Sequence, residues 1–80
     1  MKWSVYILEC VDMTLYTGIT INIDRRLKSH NNGSGAKYTR GRGPLKLIYS
    51  EFCGSHGSAL KREAQIKRLS RMEKLDLVGK

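Results

Sequence analysis

The sequence predicts a small α/β domain of the α+β kind, with a three-stranded mixed or antiparallel sheet and helices packed on it. Two neighbouring segments rich in β-branched and aromatic residues indicate an opening hairpin. A helical segment and a third strand-like segment follow, and two further helical segments come last. With 80 residues the chain is expected to be one domain over residues 1–80, in the order β-β-α-β-α-α.

The hairpin is predicted from residues 3–9 and 15–20. Both segments carry the residue types that favour a pleated, half-buried strand. Gly18, inside the second segment, suggests a bulge or a close approach by another backbone or a ligand. The connection over residues 10–15 has neither Asn-Gly nor Asp-Gly, so its turn type is left open.

The first helix is predicted over about residues 23–31, where Asn22 is a good N-cap. Ile23, Leu27 and His30 recur at helical spacing and form one stripe, with Arg26 beside it. Asn32-Gly33 is a strong signal for the end of this helix.

Residues 31–44 form the longest irregular stretch. Four glycines and a proline exclude a regular helix or a central strand there. A loop of this length in so small a domain is usually functional.

The second half of the chain predicts a strand, a turn and two helices. The strand covers residues 45–53, and the turn covers residues 54–57. A helix is expected from about Ser58 to Leu69. The Ser-x-x-Glu pattern from Ser70 to Glu73 is typical of a capping box, so it predicts a break and a short final helix through about Val78.

The charge of the chain favours a polyanionic partner, either nucleic acid or an anionic membrane surface. Fifteen Lys and Arg residues oppose seven Asp and Glu residues, which gives a net charge of +8. No apolar run approaches the roughly 20 residues of a membrane span, and no signal-peptide pattern opens the chain. We therefore expect a cytoplasmic protein that does not enter a membrane.

The two cysteines, Cys10 and Cys53, each end an apolar strand-like segment. We expect both to be buried and reduced, because no Cys-x-x-Cys spacing indicates a metal site or a redox pair. A disulfide or metal pair is the alternative.

Five elements follow one another in a fixed order along the chain: Ser4-Val5-Tyr6, Tyr16-Thr17-Gly18, Arg26, His30 and Glu63. Together they resemble the GIY-YIG nuclease family. The first tripeptide stands where the family has Gly-Ile-Tyr, and the second where it has Tyr-Ile-Gly. The three single residues stand at the family's helix arginine, at the His or Tyr one turn later, and at its metal-binding glutamate. The chain is most similar to small single-domain bacterial members related to the nuclease domain of the excision-repair protein UvrC.

The resemblance implies an endonuclease that hydrolyses DNA phosphodiester bonds with Mg²⁺ or Mn²⁺, with structure selectivity and a link to repair or recombination as the expected setting. A non-catalytic nucleic-acid-binding module on the same fold and an RNA-directed nuclease are the alternatives. A homodimer or a protein partner is left open, because so small a domain has little surface for specificity.

The same resemblance assigns roles to the five residues. Tyr6 is the favoured general base for the attacking water, and Tyr16 orients that water or a phosphate oxygen; the two roles can be exchanged. Arg26 offers a bidentate fork to the scissile phosphate, and His30 assists on the same helical face. Glu63 binds the metal, which suits Mg²⁺ because that ion often takes only one or two protein carboxylates.

These assignments have structural alternatives. Tyr6 and Tyr16 are expected to be close cross-strand neighbours on one face, but they could be ordinary half-buried strand residues. Arg26 and Glu63 could form a structural ion pair, and His30 could be a packed helix residue. Phosphate contacts, which are sensitive to salt, are expected from the basic residues of the long loop and of the second helix, with Tyr38 stacking on a base. The candidates are Lys37, Tyr38, Arg40, Arg42, Lys67 and Arg68.

Overall fold

One antiparallel sheet forms the centre of the molecule. The computed structural model describes residues 2–79. Its strands are β1 (Trp3–Glu9), β2 (Leu15–Thr20) and β3 (Lys46–Gly54). Their order in the sheet is β2-β1-β3, and β1 runs antiparallel to both neighbours. The sheet is thus fully antiparallel, which decides between the two arrangements that the sequence allowed.

Three helices complete the fold and confirm the predicted order β-β-α-β-α-α. They are α1 (Ile23–Asn31), α2 (His56–Lys67) and α3 (Arg71–Val78). The Asn22 side chain caps α1 by accepting from the backbone N–H of Arg25. The capping box of Ser70 and Glu73 is formed in both directions at the start of α3.

The predicted turn over residues 54–57 and the predicted bounds of α2 are wrong. The helix already begins at His56, because the Ser55 hydroxyl accepts from the backbone N–H of Ser58 and caps it. It ends at Lys67 rather than Leu69, since the Leu69 N–H donates to the Ile66 carbonyl in a tightened last turn. Glycine and serine are common both in turns and at the starts of helices, so the Gly-Ser composition did not distinguish the two.

The two faces of the sheet carry two separate apolar clusters. On one face Tyr6, Leu8 and Cys10 of the first hairpin pack with Leu45, and Leu27 of α1 covers them. On the other face β1 packs against α2, and the last turn of α3 adds further contacts; the buried members are Val5, Ile7 and Ile66. The face with Tyr6 is therefore the one that α1 and the following loop cover.

The loop over residues 32–45 is held at several points although it lacks regular structure beyond a short 3₁₀ turn at Lys37–Thr39. The Asn31 side chain accepts from the Leu45 N–H at 2.7 Å and donates to the Leu45 carbonyl, as a strand neighbour would. The Arg42 carbonyl accepts from the Val11 N–H at 2.8 Å. These bonds fasten the loop to α1, β3 and the β1–β2 hairpin.

Cys10 and Cys53 are both free thiols, as predicted, but only Cys10 is buried, and Cys53 is half-buried.

Within residues 2–79 no helix combines the length and the apolar character that crossing a bilayer requires.

Candidate active site

Tyr6 lies at the centre of the sheet, and its ring rests on Gly18. The two residues are direct partners in the β1–β2 ladder. A Cβ atom at position 18 would stand 2.6 Å from the Tyr6 hydroxyl oxygen and 2.8 Å from the ring carbon that bears it. Sequence analysis predicted a close approach at Gly18, and the group that approaches is the Tyr6 side chain.

Replacing Gly18 by Ala is expected to push the Tyr6 phenol out of place. The ring is only 2% exposed and has no free space to enter, so overpacking should cost about 1–3 kcal/mol in the free energy of unfolding. Gly57→Ala is the matched control, because nothing lies within 4 Å of its Cβ position in α2. That change should stabilise the protein by roughly 0.5–1 kcal/mol. Urea unfolding of both variants tests the pair, and equal stabilities would contradict it.

Tyr16 shares the face of Tyr6 but does not stand directly opposite it. The ladder pairs Tyr16 with Leu8, so the two tyrosines are diagonal neighbours and not the direct pair that the sequence suggested. Their ring centroids are 6.4 Å apart. Tyr16 is half-buried, whereas Tyr6 is sealed from solvent.

His30 lies between the two tyrosines and the long loop. Its Nε2 atom is 2.8 Å from the Tyr6 hydroxyl, and its Nδ1 atom is 2.9 Å from the Thr39 hydroxyl. The imidazole meets the Tyr16 ring edge-on at 5.2 Å between centroids. With 2% of its surface exposed, His30 is packed and fully hydrogen-bonded.

Both hydrogen-bonded groups are held in their neutral forms. Burial raises the pKa of the Tyr6 phenol, with smaller increases from Tyr16 and Glu63, while the hydrogen bonding and charge of Arg26 lower it. Burial lowers the pKa of His30, and the Arg26 charge lowers it further. The Arg26 charge therefore acts on both groups.

The lowered pKa of His30 predicts a loss of stability in mild acid. The unfolded state takes up this proton near pH ~6.5 and the folded state only at lower pH, so the unfolded state binds more protons in between. Stability is therefore complete above pH ~6.5 and falls as the pH drops towards the folded pKa, by up to about 1.4 kcal/mol per pH unit.

Urea unfolding between pH 7.5 and 5 measures this slope. The carboxyls of Asp12, Glu51 and Glu73 have lowered pKa values too, and they act only in stronger acid. The exposed histidine gives the control, because His56→Gln should keep the slope. A flat profile in the wild type would contradict the prediction.

Glu63 lies on α2 with its side chain 20% exposed, and its carboxylate is 3.4 Å from the Lys67 ammonium. Its charge acts on the Tyr6 phenol, so it faces the same region as the tyrosines. Within residues 2–79 no ion pair joins Glu63 to Arg26, so that structural alternative is not formed. Tyr16 and His30 thus adjoin Tyr6 on one face of the sheet, and the charges of Arg26 and Glu63 act on the Tyr6 phenol.

The donor set suits a hard divalent ion. Across the described part of the chain, no group of three or more His, Cys, Asp or Glu side chains could hold a metal. A zinc site would need three or four such ligands. Mg²⁺ accepts one protein carboxylate and completes its shell with water and phosphate oxygens. Glu63 is the residue that would hold it.

A cleft of about 350 Å³ opens beside Tyr16 and combines aromatic and basic groups. Tyr16 and Tyr38 line it together with Lys67 and Lys74. Lys74 is one of several basic residues in the second half of the chain. The sequence did not single it out as a phosphate contact. Its position relative to Tyr16 depends on the packing of α3, which the sequence does not show.

Two neighbouring side chains contact the Tyr38 ring, which the sequence did not indicate. The Tyr16 ring stacks on it at 5.9 Å between centroids, and the Arg42 guanidinium lies 4.4 Å from its ring centre. Arg42 also forms an ion pair with Asp12 of the hairpin. Tyr38 is still 42% exposed, and Arg42 is half-buried. The other predicted phosphate-binding residues are also exposed: Lys37, Arg40, Lys67 and Arg68.

The chain is similar to known proteins over nearly its whole length. The family model of the GIY-YIG catalytic domain matches residues 2–76. A UPF0213 protein of Syntrophus aciditrophicus is 60% identical over 78 residues, which are 96% of this chain and 90% of that protein. A UPF0213 protein of Clostridium perfringens is 58% identical over 75 residues, which are 94% of this chain and 81% of that protein.

A solved structure is also similar. The solution NMR structure of a UPF0213 protein from Bacillus halodurans has 49% sequence identity and a TM-score of 0.64. The match covers 99% of this chain and 84% of that one.

Proposed function

Because the chain belongs to the GIY-YIG nuclease family, we propose that it is a metal-dependent endonuclease that hydrolyses DNA phosphodiester bonds. The observation that carries the proposal is the grouping of two phenols around His30, with the charges of a guanidinium and a carboxylate acting on the buried phenol.

Tyr16 is the better general base in this arrangement. It is half-buried and lines the open cleft, so an attacking water can reach its hydroxyl. Tyr6 is 2% exposed, its hydroxyl is engaged with His30, and burial raises its pKa. The two tyrosine roles were exchangeable in the sequence, and exposure favours this order: Tyr16 takes the proton from water and Tyr6 orients its neighbours.

Arg26 and Glu63 complete the proposed site. The Arg26 guanidinium has only donors, and its planar fork suits two oxygens of the scissile phosphate. Glu63 would hold Mg²⁺ or Mn²⁺, which when bound neutralises the charge that develops on the phosphate and on the leaving oxygen. The Lys67 ammonium lies 3.4 Å from the same carboxylate.

The cleft beside Tyr16 gives the nucleic acid a path to these groups. Lys67 and Lys74 stand where they can neutralise successive phosphates, and such contacts are independent of sequence. Branched or otherwise exposed strands suit this path, because the cleft is lined by aromatic groups and lysines and offers no base-reading element. A role in repair or recombination would follow from that preference.

A cleavage assay tests the proposal. The purified chain is incubated with nicked, branched and single-stranded DNA and with RNA, each with Mg²⁺, with Mn²⁺ and with EDTA. We expect strand scission of at least one DNA that EDTA abolishes. Scission of RNA alone would replace DNA as the substrate, and the absence of metal-dependent scission on every substrate would refute the nuclease assignment.

A non-catalytic nucleic-acid-binding module is the second candidate, and the Glu63–Lys67 ion pair favours it. A carboxylate already balanced by an ammonium leaves a basic surface that needs no metal. This candidate predicts binding that weakens steeply with salt and is the same in EDTA and in Mg²⁺ after correction for ionic strength. Binding measured beside the cleavage assay therefore separates the two functions.

A further inference from the structure

A chain of hydrogen bonds leads from the long loop to the Tyr6 phenol. The Thr39 hydroxyl oxygen lies 2.8 Å from the Ala36 carbonyl oxygen. His30 Nδ1 lies 2.9 Å from the same hydroxyl, and His30 Nε2 lies 2.8 Å from the Tyr6 hydroxyl. Thr39, His30 and Tyr6 are between 1% and 2% exposed, so bulk water does not compete for these bonds.

The first of these hydrogen bonds, between Thr39 and Ala36, sets the donor-to-acceptor direction of the others. The Ala36 carbonyl can only accept, so Thr39 spends its single hydroxyl proton on it. Towards His30 the Thr39 oxygen must then accept, which places the imidazole proton on Nδ1. The lone pair of the neutral ring is left on Nε2, where it accepts from the Tyr6 O–H. In the opposite direction the Thr39 hydroxyl would donate to His30 Nδ1, and the Ala36 carbonyl would keep only the Thr39 backbone N–H as its donor.

The last group in this series of hydrogen bonds is the Tyr6 hydroxyl. Once Tyr6 donates to His30, its oxygen offers only lone pairs to its other neighbours. With the other His30 tautomer, Tyr6 would accept from Nε2 and would direct its own proton towards the candidate site.

We propose that Thr39 is a positioning residue. Its hydroxyl holds His30 in the Nδ1–H tautomer, and Tyr6 thereby presents its oxygen to the candidate site as an acceptor. Close packing of the loop supports this assignment, because a Cβ atom at Gly35 would stand 2.4 Å from His30 Nδ1. The effect on catalysis rests on the proposed nuclease function, whereas the tautomer does not.

Nitrogen-15 NMR of the side chains tests the tautomer directly. The chain has two histidines, so the exposed His56 serves as an internal reference. In the wild type at neutral pH we expect His30 Nδ1 to be protonated and Nε2 to be bare. Thr39→Val keeps the shape of the side chain and removes the acceptor, and it should move the proton to Nε2. Thr39→Ser should keep the wild-type tautomer.

Wild-type His30 with its proton on Nε2 would overturn the proposal, as would an unchanged tautomer in a folded Thr39→Val protein. If the backbone amide spectrum shows that Thr39→Val does not fold, the wild-type tautomer and the Thr39→Ser spectrum decide.

Activity gives the final readout. In serine proteases the loss of the group that fixes the histidine tautomer costs about 10⁴-fold in kcat. A neutral hydroxyl further from the reaction should cost less, and we expect about a 10–100-fold lower kcat for Thr39→Val with unchanged nucleic-acid affinity. The tautomer could shift as expected in Thr39→Val while the wild type cuts none of the substrates. That pair of results would refute the nuclease function and uphold the tautomer assignment. Full cleavage activity in Thr39→Val would overturn the catalytic part of the proposal.

Discussion

Tyr16→Phe is expected to lower kcat for strand cleavage by about 10²–10⁴-fold, the usual contribution of a general base. The phenylalanine ring keeps the stacking contact with Tyr38 and the edge contact with His30, so the cleft should keep its shape. Nucleic-acid affinity should therefore stay close to that of the wild type. Single-turnover cleavage and a binding titration measure the two quantities separately.

Tyr49→Phe is the matched control for this change. Tyr49 is also a half-buried strand tyrosine, but it lies opposite Ile7 on the other face of the sheet. Its hydroxyl donates to Glu51, so its removal affects that contact and leaves the candidate site untouched. Cleavage should continue at the wild-type rate. Equal losses in the two variants would show that the Tyr16 effect is structural, and no loss in Tyr16→Phe would exclude it as the base.

Glu63→Gln should reduce metal-dependent cleavage by about 10³-fold or more, because the charge stabilisation that a catalytic metal supplies is worth several kcal/mol. The amide has the same shape but is a poor ligand for a hard cation. Binding of nucleic acid should be retained or slightly stronger, since the change removes a negative charge and frees Lys67 from its ion pair. The fold should be unaffected, because that pair is half exposed and such pairs contribute little.

Asp76→Asn serves as the control for Glu63→Gln. It makes the same carboxylate-to-amide change at an exposed position of α3. Cleavage over a Mn²⁺ titration should match the wild type in Asp76→Asn and should not be rescued by high Mn²⁺ in Glu63→Gln. A Glu63→Gln protein that cuts at the wild-type rate would remove Glu63 from the site.

Local sequence signals predicted most of the fold. Asn22 before α1 and the Ser70–Glu73 pair before α3 gave correct helix starts, because a cap is a short-range interaction that a few residues encode. The start of α2 was missed because its cap signal is ambiguous. Ser55 caps it just as well, but glycines and serines are equally typical of turns.

The candidate site was predictable only in part. The motifs named the residues on β1, β2, α1 and α2, but the diagonal offset of the two tyrosines depends on the ladder register, which the weak turn signal of the hairpin did not define. Thr39 and Lys74 were missed because their roles arise from tertiary packing: the loop folds back on His30, and α3 brings its lysine to the cleft. No spacing in the sequence relates either residue to the motifs.

The central position of β1 affects how the molecule opens. Tyr6 is paired on one side with Gly18 and on the other with Ser50, so its amide is exposed to solvent only when the whole sheet comes apart. In hydrogen–deuterium exchange the amides around Tyr6 should thus be among the last to exchange. Glu63 lies on α2, outside this ladder, so an opening of the helix alone would move its carboxylate and leave the strand pairing at Tyr6 intact.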